Sequence, residues 1–107
     1  MVGGLTIVDG ESGEEVSCAS VLKVLADETR LAVIEQLLAG PKQVGQINAS
    51  LGVEQTLLSH HLKVLRDAKL VTSTRQGKHV VYSLATSIQG RRRGRAINLG
   101  CCLISFD

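Results

Sequence analysis

The feature that most constrains the fold is a pair of short helical patterns that almost adjoin in the sequence. Val44, Ile47 and Leu51 recur at helical spacing, and Gly52 ends this first pattern. The segment "VEQTLLSHHLKVLRDAKLV", residues 53–71, begins the second pattern directly afterwards. Two helices joined by so few residues are a candidate helix-turn-helix unit.

The second helix of this pair has an apolar face and a polar face. The apolar face comprises Leu58, His61, Leu62 and Leu65. The polar face comprises Gln55, Thr56, Ser59, His60 and Lys63. We expect the first face to pack against the rest of the domain, with His61 as a core residue, and the second face to meet solvent or a ligand.

The segment "VTSTRQGKHVVYSL", residues 71–84, contains two β-branched runs on either side of a glycine. This pattern predicts a β-hairpin, because Gly77 can adopt the positive φ that a tight turn needs. The tip of the hairpin is basic, with Arg75, Lys78 and His79. The predicted fold class is therefore α+β and mostly helical, a winged helix-turn-helix with about five helices and a two-stranded hairpin wing.

The remaining helices are predicted from their caps. Ser12 and Glu15 form a capping-box pattern ahead of a first helix, and Asp27 is a suitable cap for a second helix. A last helix is predicted from Ser87, although two glycines that follow it each disfavour a helix by about 1 kcal/mol relative to alanine.

The chain divides into three predicted parts. Residues 1–12 are expected to be a flexible N-terminus, residues 13–86 the winged helix-turn-helix domain, and residues 87–107 a C-terminal segment for dimerisation and sensing. This last segment holds a basic cluster, Arg91 to Arg93 with Arg95. The cluster is interpreted as a solvated face, a phosphate contact, or a partner for the acidic first helix of a second subunit.

Charge is distributed unevenly along the chain. The net charge is +2, but residues 1–28 hold six acidic residues and one lysine, which leaves residues 29–107 at +7. A basic domain predicts a polyanionic partner. Duplex is favoured over single-stranded nucleic acid, because single-strand binders stack bases on aromatic rings and this chain has one tyrosine and one phenylalanine. With no long apolar run and no signal-peptide pattern, we expect a cytoplasmic protein without a membrane partner.

The sequence does not favour an enzyme. The histidines lie on the second helix of the pair and on the hairpin, no glycine-rich phosphate loop is present, and no paired carboxylates frame a pocket. A protein-interaction module that uses the same fold without binding DNA is the alternative from a different class. Such a module would not lose duplex affinity steeply with salt.

The segments "VLKVLADETRLAVIEQLL" and "SHHLKVLRDAKLV", followed by the basic hairpin, resemble the ArsR/SmtB family of winged-helix metalloregulators. The resemblance covers about residues 20–84. It implies a homodimeric repressor that sits on a palindromic operator near its own gene and leaves it when a metal or metalloid ion binds. The family's Cys-x-Cys site is missing, since Gln43 and Gly45 stand there, and its terminal Asp and His site is absent as well.

Two further departures affect local structure. Glu54 stands where the family usually has a serine helix cap, and Lys69 stands where it often has a glycine. The first change weakens the cap and puts a negative charge near the DNA. The second requires a lysine to adopt a left-handed conformation, at about 1 kcal/mol.

The polar helix face and the hairpin tip are the predicted DNA contacts. Gln55 is suited to adenine and Thr56 to a thymine methyl group, whereas Ser59 and His60 accept mixed partners. Lys63 is expected to meet phosphate. The hairpin residues Arg75, Lys78 and His79 are expected along the backbone or the adjacent minor groove. In a two-fold dimer, the recognition helices should sit about 34 Å apart, which predicts half-sites one helical turn apart. DNA binding itself requires no cofactor.

The chain has three cysteines, Cys18 and the adjacent pair Cys101 and Cys102. Adjacent thiolates can both reach one soft ion. In relatives, the ends of the first and last helices lie together at the dimer interface, so the resemblance implies that Cys18 meets the pair there, from the same or the opposite subunit. Three thiolates without histidine or carboxylate suit arsenite or antimonite, with cadmium or lead as alternatives, whereas zinc would need a fourth ligand.

Two other interpretations of the cysteines stay open at this point. Cys18 falls on an apolar face of the predicted first helix, and Cys101 and Cys102 lie within the apolar run "LGCCLI". Free cysteine is often buried as a small hydrophobic residue, so all three could pack in the core. Alternatively, Cys18 forms a disulfide with one of the pair, which would make the protein a thiol-redox-responsive repressor of the same fold.

Overall fold

Residues 17–89 and 95–106 are described by the computed structural model. The predicted capping box at Ser12 and Glu15 and the arginine run Arg91 to Arg93 lie outside these ranges. Among the helices of the two described ranges, none is both long and apolar enough to cross a membrane.

The first two helices begin at side-chain caps. Helix α1 spans Cys18–Leu25, and the Ser17 hydroxyl caps it by accepting a backbone N–H of the first turn at 3.1 Å. Helix α2 spans Glu28–Leu37, and the Asp27 carboxylate accepts the Arg30 amide at 3.0 Å. The predicted cap of α2 is confirmed, and Ser17 supplies the cap of α1.

The predicted helix-turn-helix pair is confirmed. Helix α3 spans Val44–Leu51 and helix α4 spans Gln55–Asp67. Gly52 ends α3 with a φ of 64°. The Asn48 side chain then bonds to both backbone groups of Val53, accepting from its N–H at 2.9 Å and donating to its carbonyl at 2.8 Å. These bonds hold the short connection and therefore the angle between α3 and α4.

Glu54 and Lys69, the two departures noted in the sequence, lie at the two ends of α4. The Glu54 carboxylate caps the helix by accepting the Leu57 amide at 3.2 Å. Lys69, two residues past the helix, adopts a left-handed conformation with a φ of 64°. A glutamate therefore performs the capping that serine performs more commonly, and a lysine takes the backbone conformation that favours glycine.

The wing is the hairpin that the sequence predicted. Strand β2 spans Val71–Gln76, strand β3 spans His79–Leu84, and Gly77 in the turn has a φ of 63°. The two strands pair antiparallel along their whole length. A two-residue strand β1, Lys42–Gln43, adds to β3, so that the sheet order is β1-β3-β2.

The prediction of a last helix from Ser87 is wrong. A single 3-10 turn spans Thr86–Ile88, and an antiparallel ribbon of strand β4, Ala96–Asn98, and strand β5, Leu103–Ser105, follows it. Short alternating runs on either side of Gly100, which has a φ of 91°, favour a hairpin over a helix. The winged helix-turn-helix fold is confirmed, with four α-helices in the described ranges instead of about five.

An apolar core joins the helices, the sheet and the ribbon. Its largest fully buried side chains are Val33, Ile34, Ile47, Leu58, Leu62, Leu65, Val71 and Ile97. Ile97 belongs to β4, so the ribbon is docked on the domain by a core residue. The turn of the ribbon consequently has a fixed position relative to α1 and α2.

Candidate sensor site and DNA-binding surface

The three cysteines come together in one subunit. Cys18 is the first residue of α1, and Cys101 and Cys102 lie in the turn between β4 and β5. Their three sulfur atoms all lie within 4.8 Å of one another. Within the described part of the chain, they form the group of histidine, cysteine or acidic side chains whose ligand atoms lie close enough together to bind one metal ion.

The sulfur atoms are in two chemical states. Cys18 and Cys101 form a disulfide with a Cα–Cα distance of 6.1 Å, whereas Cys102 is a free thiol. Cys101 is exposed, and Cys18 and Cys102 are half-buried. Because none of the three is buried, the exposure argues against the interpretation that they are core-packing residues.

The turn that carries the cysteine pair is held by its own hydrogen bonds. The Leu99 amide donates to the Cys102 carbonyl at 2.9 Å, and the Gly100 amide donates to the Asn98 side-chain oxygen at 2.8 Å. Gly100 makes this turn possible, because its positive φ is costly for other residues. The ribbon thereby presents the sulfur of Cys102 beside the disulfide.

Arg95 fastens the base of the ribbon to α2. Its guanidinium bonds to the Glu35 carboxylate at 2.8 Å and to the Phe106 carbonyl at 3.3 Å, and its own carbonyl accepts the Phe106 amide at 2.8 Å. The sequence interpretations of Arg95 were a solvated face, a phosphate contact, or a partner for the first helix of another subunit. In the structure, its acidic partner lies on the second helix of the same subunit.

The residue after Glu35 connects α2 to the helix-turn-helix unit. The Gln36 side-chain amide donates to the Ile47 carbonyl and to the Ser50 hydroxyl, both at 2.9 Å. Neighbouring residues of α2 therefore bond to the ribbon on one side and to α3 on the other. No local sequence pattern predicts this connection, because it depends on contacts between distant segments.

The predicted DNA-contacting residues all lie at the surface. Those on α4 and the wing that are exposed are Gln55, Thr56, Ser59, His60, Lys63, Arg75, Lys78 and His79. The Lys63 ammonium bonds to the Asp67 carboxylate at 3.0 Å, so the polar face of α4 has an acidic residue at its end. DNA phosphate would have to compete with Asp67 for Lys63.

Leu57 is a surface residue that the sequence pattern did not single out. It lies in the first turn of α4, and 45% of it is exposed. The sequence indicates this exposure, because Leu57 is an apolar residue that does not belong to the helix face that packs into the core. An exposed apolar side chain here can contact a thymine methyl group in a major groove.

His61 lies beneath this surface, as predicted, and is 7% exposed. The Arg30 side chain donates from Nε to His61 Nδ1 at 3.0 Å and also donates to the Val24 carbonyl at 3.1 Å. The Arg30 backbone N–H, bonded to the Asp27 carboxylate, lowers the pKa of that carboxyl below its usual range. Arg30 thus joins the start of α2 to the inner face of α4.

Residues 27–73 match the family described as "Bacterial regulatory protein, arsR family". The matched range begins at the cap of α2 and ends within the wing. It includes the whole helix-turn-helix pair, whereas the three cysteines lie outside it.

Two curated relatives come from mycobacteria. The HTH-type transcriptional regulator NmtR of Mycobacterium tuberculosis is 40% identical over 77 residues, which are 72% of this chain and 62% of the relative. The HTH-type transcriptional regulator CmtR of Mycobacterium bovis is 36% identical over 85 residues, which are 79% of this chain and 72% of the relative. The chain thus spans less than two thirds of NmtR and more than two thirds of CmtR.

Solved structures share the fold. The crystal structure of Mycobacterium tuberculosis Rv0081 superposes with a TM-score of 0.62 at 36% identity, over 64% of this chain and 69% of that one. The transcriptional repressor BigR from Xylella fastidiosa superposes with a TM-score of 0.59 at 35% identity, over 62% of this chain and 67% of that one.

Proposed function

This chain belongs to the ArsR/SmtB family of bacterial transcriptional regulators, and from that premise we propose a repressor that binds palindromic operator DNA and is released by a thiophilic ion. It acts as a regulator and not as an enzyme. The observation that carries the proposal is the group of three sulfur atoms within 4.8 Å of one another. The proposed place of action is the cytoplasm, where bacterial operator DNA is found.

The proposed inducer is arsenite or antimonite, held by the thiolates of Cys18, Cys101 and Cys102. Three sulfur atoms bound pyramidally at about 2.3 Å from one ion lie roughly 3–4 Å apart. The three cysteine sulfur atoms lie within 4.8 Å of one another, so rotation of their side chains after reduction would bring them to that spacing. Ion binding takes place in the reduced protein, because thiolates and not a disulfide are the ligands.

The donor set favours a three-coordinate ion. No histidine or carboxylate in the described ranges joins the group of three cysteines. Arsenite and antimonite favour pyramidal coordination by three sulfur atoms, and cadmium or lead are the alternative inducers. Zinc is a weaker candidate because structural zinc sites are almost always four-coordinate.

The proposed DNA interface is the exposed face of α4 together with the wing tip. In this proposal, Gln55, Thr56, Ser59 and His60 would read base edges in a major groove, and Leu57 would add an apolar contact. The basic residues Lys63, Arg75 and Lys78, with His79, would contact the phosphate backbone. Their exposure supports this role.

The repressor is proposed to act as a homodimer. Leu22 on α1 and Leu103 on β5 are 42% and 47% exposed in the isolated subunit. Apolar side chains of this size gain stability when a second subunit covers them. A dimer would also place two α4 helices on one operator, one for each half-site.

The test is a fluorescence anisotropy titration of the reduced protein onto a labelled duplex from upstream of its own gene. We expect tight, salt-dependent binding that one equivalent of arsenite per subunit weakens about tenfold or more. Cys102→Ser should remove the arsenite effect, whereas Ala19→Ser, an exposed hydroxyl substitution beside Cys18, should retain it. Binding that arsenite, antimonite, cadmium and lead all leave unchanged would contradict the proposal.

A further inference from the structure

The site has a second chemical state that excludes the ion. With Cys18 and Cys101 joined in a disulfide, one free thiol is left at Cys102, and three-thiolate coordination is impossible. We propose that Cys18 and Cys101 are an oxidant-reactive pair, and that their disulfide weakens operator binding as the bound ion does. The repressor would then answer hydroperoxides as well as thiophilic ions. This inference rests on the proposed function for its DNA binding, but it needs no ion.

The geometry suits a two-step oxidation by hydrogen peroxide. Cys101 is exposed on the turn of the ribbon, and its thiolate attacks one peroxide oxygen, which breaks the O–O bond and leaves a sulfenic acid and hydroxide. The Cys18 thiolate then attacks the sulfenic sulfur, forms the S–S bond and expels a second hydroxide. The two hydroxides take up the two thiol protons, so one peroxide yields one disulfide and two waters.

The disulfide and the ion would connect the same two elements. Each joins the first residue of α1 to the turn of the ribbon. A movement of the turn cannot carry the two strands of the ribbon with it. Ile97 in β4 is fully buried, and Arg95 at the base of the ribbon is bonded to Glu35 of α2. A link between Cys18 and Cys101, whether it is the disulfide or the shared ion, would therefore affect the position of α1 relative to α2.

Cys102 separates the two inputs. The disulfide uses Cys18 and Cys101 and leaves Cys102 free. Ion binding uses all three sulfur atoms in the proposed site. Loss of the Cys102 thiol should therefore abolish the response to arsenite and spare the response to peroxide, whereas loss of Cys18 should abolish both.

The experiment measures operator affinity by anisotropy for the full chain in four conditions: reduced, reduced with arsenite, oxidised with one equivalent of hydrogen peroxide, and oxidised then treated with dithiothreitol. Mass spectrometry of peptides confirms which disulfide forms. For the unsubstituted protein we expect peroxide to weaken binding about tenfold and dithiothreitol to restore it. Cys102→Ser should respond to peroxide alone, Cys18→Ser should respond to neither, and Ala19→Ser should respond to both.

Two results would overturn the inference. One is complete formation of the Cys18–Cys101 disulfide with unchanged operator affinity. The other is a Cys102→Ser protein that forms the disulfide and yet keeps full affinity. A protein that peroxide releases but arsenite, antimonite, cadmium and lead do not would contradict the proposed inducer and support the inference. A protein that arsenite releases but peroxide does not would support the proposed inducer and contradict the inference.

Discussion

Asp27 combines two roles at the residue scale, since its carboxylate caps α2 and lies close to the Arg30–His61 contact. The backbone N–H of Arg30 lowers the pKa of the Asp27 carboxyl relative to the unfolded chain. The ionised carboxylate therefore stabilises the fold above its unfolded pKa. That contribution is lost as the pH falls through the lower, folded pKa.

We predict that Asp27→Ala lowers the free energy of unfolding by about 1 kcal/mol at pH 7, because the cap is lost. Asp27→Asn is the matched control, since asparagine also caps helices but carries no charge. Urea unfolding between pH 7 and pH 3 should show a smaller acid loss for both variants than for the unsubstituted protein. An Asp27→Ala protein as stable as the Asp27→Asn protein would show that the cap contributes nothing.

The DNA-facing residues should divide into those that read sequence and those that supply affinity. We predict that Gln55→Ala costs about 1–3 kcal/mol on the operator and little on unrelated duplex. Lys78→Ala should weaken both duplexes alike and lower the slope of log affinity against log salt by about one. Lys23→Ala, on α1, is the charge control. Equal effects of Gln55→Ala on both duplexes would place this residue outside the base-reading surface.

At the scale of elements, the sequence predicted the helices and strands that local sequence patterns determine. The helix-turn-helix pair follows from apolar periodicity and from the stop at Gly52, and the wing follows from β-branched runs around Gly77. Strand β1 was missed because two residues become a strand only through pairing with β3. The terminal ribbon was missed because its strands have three residues each and depend on burial of Ile97.

The candidate site shows the same division. The cysteine pair and Cys18 were singled out from their chemistry alone, but 83 residues separate Cys18 from Cys101, and no local pattern could place them in one subunit. The expectation of a site at helix ends came from the resemblance. The structure instead has a helix start facing a hairpin turn, because Gly100 allows the chain to reverse there.

The Arg95–Glu35 ion pair should couple the ribbon to α2. Because it is solvent-exposed, we predict that Glu35→Gln changes the free energy of unfolding by less than about 1 kcal/mol. Its larger effect should be on the arsenite-induced loss of operator affinity, which we expect to fall severalfold. The reversed pair, Glu35→Arg with Arg95→Glu, should restore part of that response. An arsenite response that is unchanged in Glu35→Gln would show that coupling takes another route.

At the scale of the whole molecule, the disulfide closes a loop that contains most of the chain. Closing a loop of this length restricts the unfolded chain by about 4–5 kcal/mol in the entropy model, although measured gains are typically about 2–4 kcal/mol. We predict that dithiothreitol lowers the free energy of urea unfolding by an amount in this range for the oxidised protein. The same reductant should leave the stability of Cys101→Ser unchanged. Equal stability of the oxidised and reduced protein would mean that the loop is already restricted when unfolded.

The central claim is that one ion is bound by the three thiolates of one subunit. Its most direct test is a count of reactive thiols on the fully reduced protein under anaerobic conditions, before and after one equivalent of arsenite per subunit. The account predicts three reactive thiols before arsenite and none after it. Three thiols that react equally well in the presence of arsenite, and of antimonite, cadmium and lead in parallel samples, would contradict it.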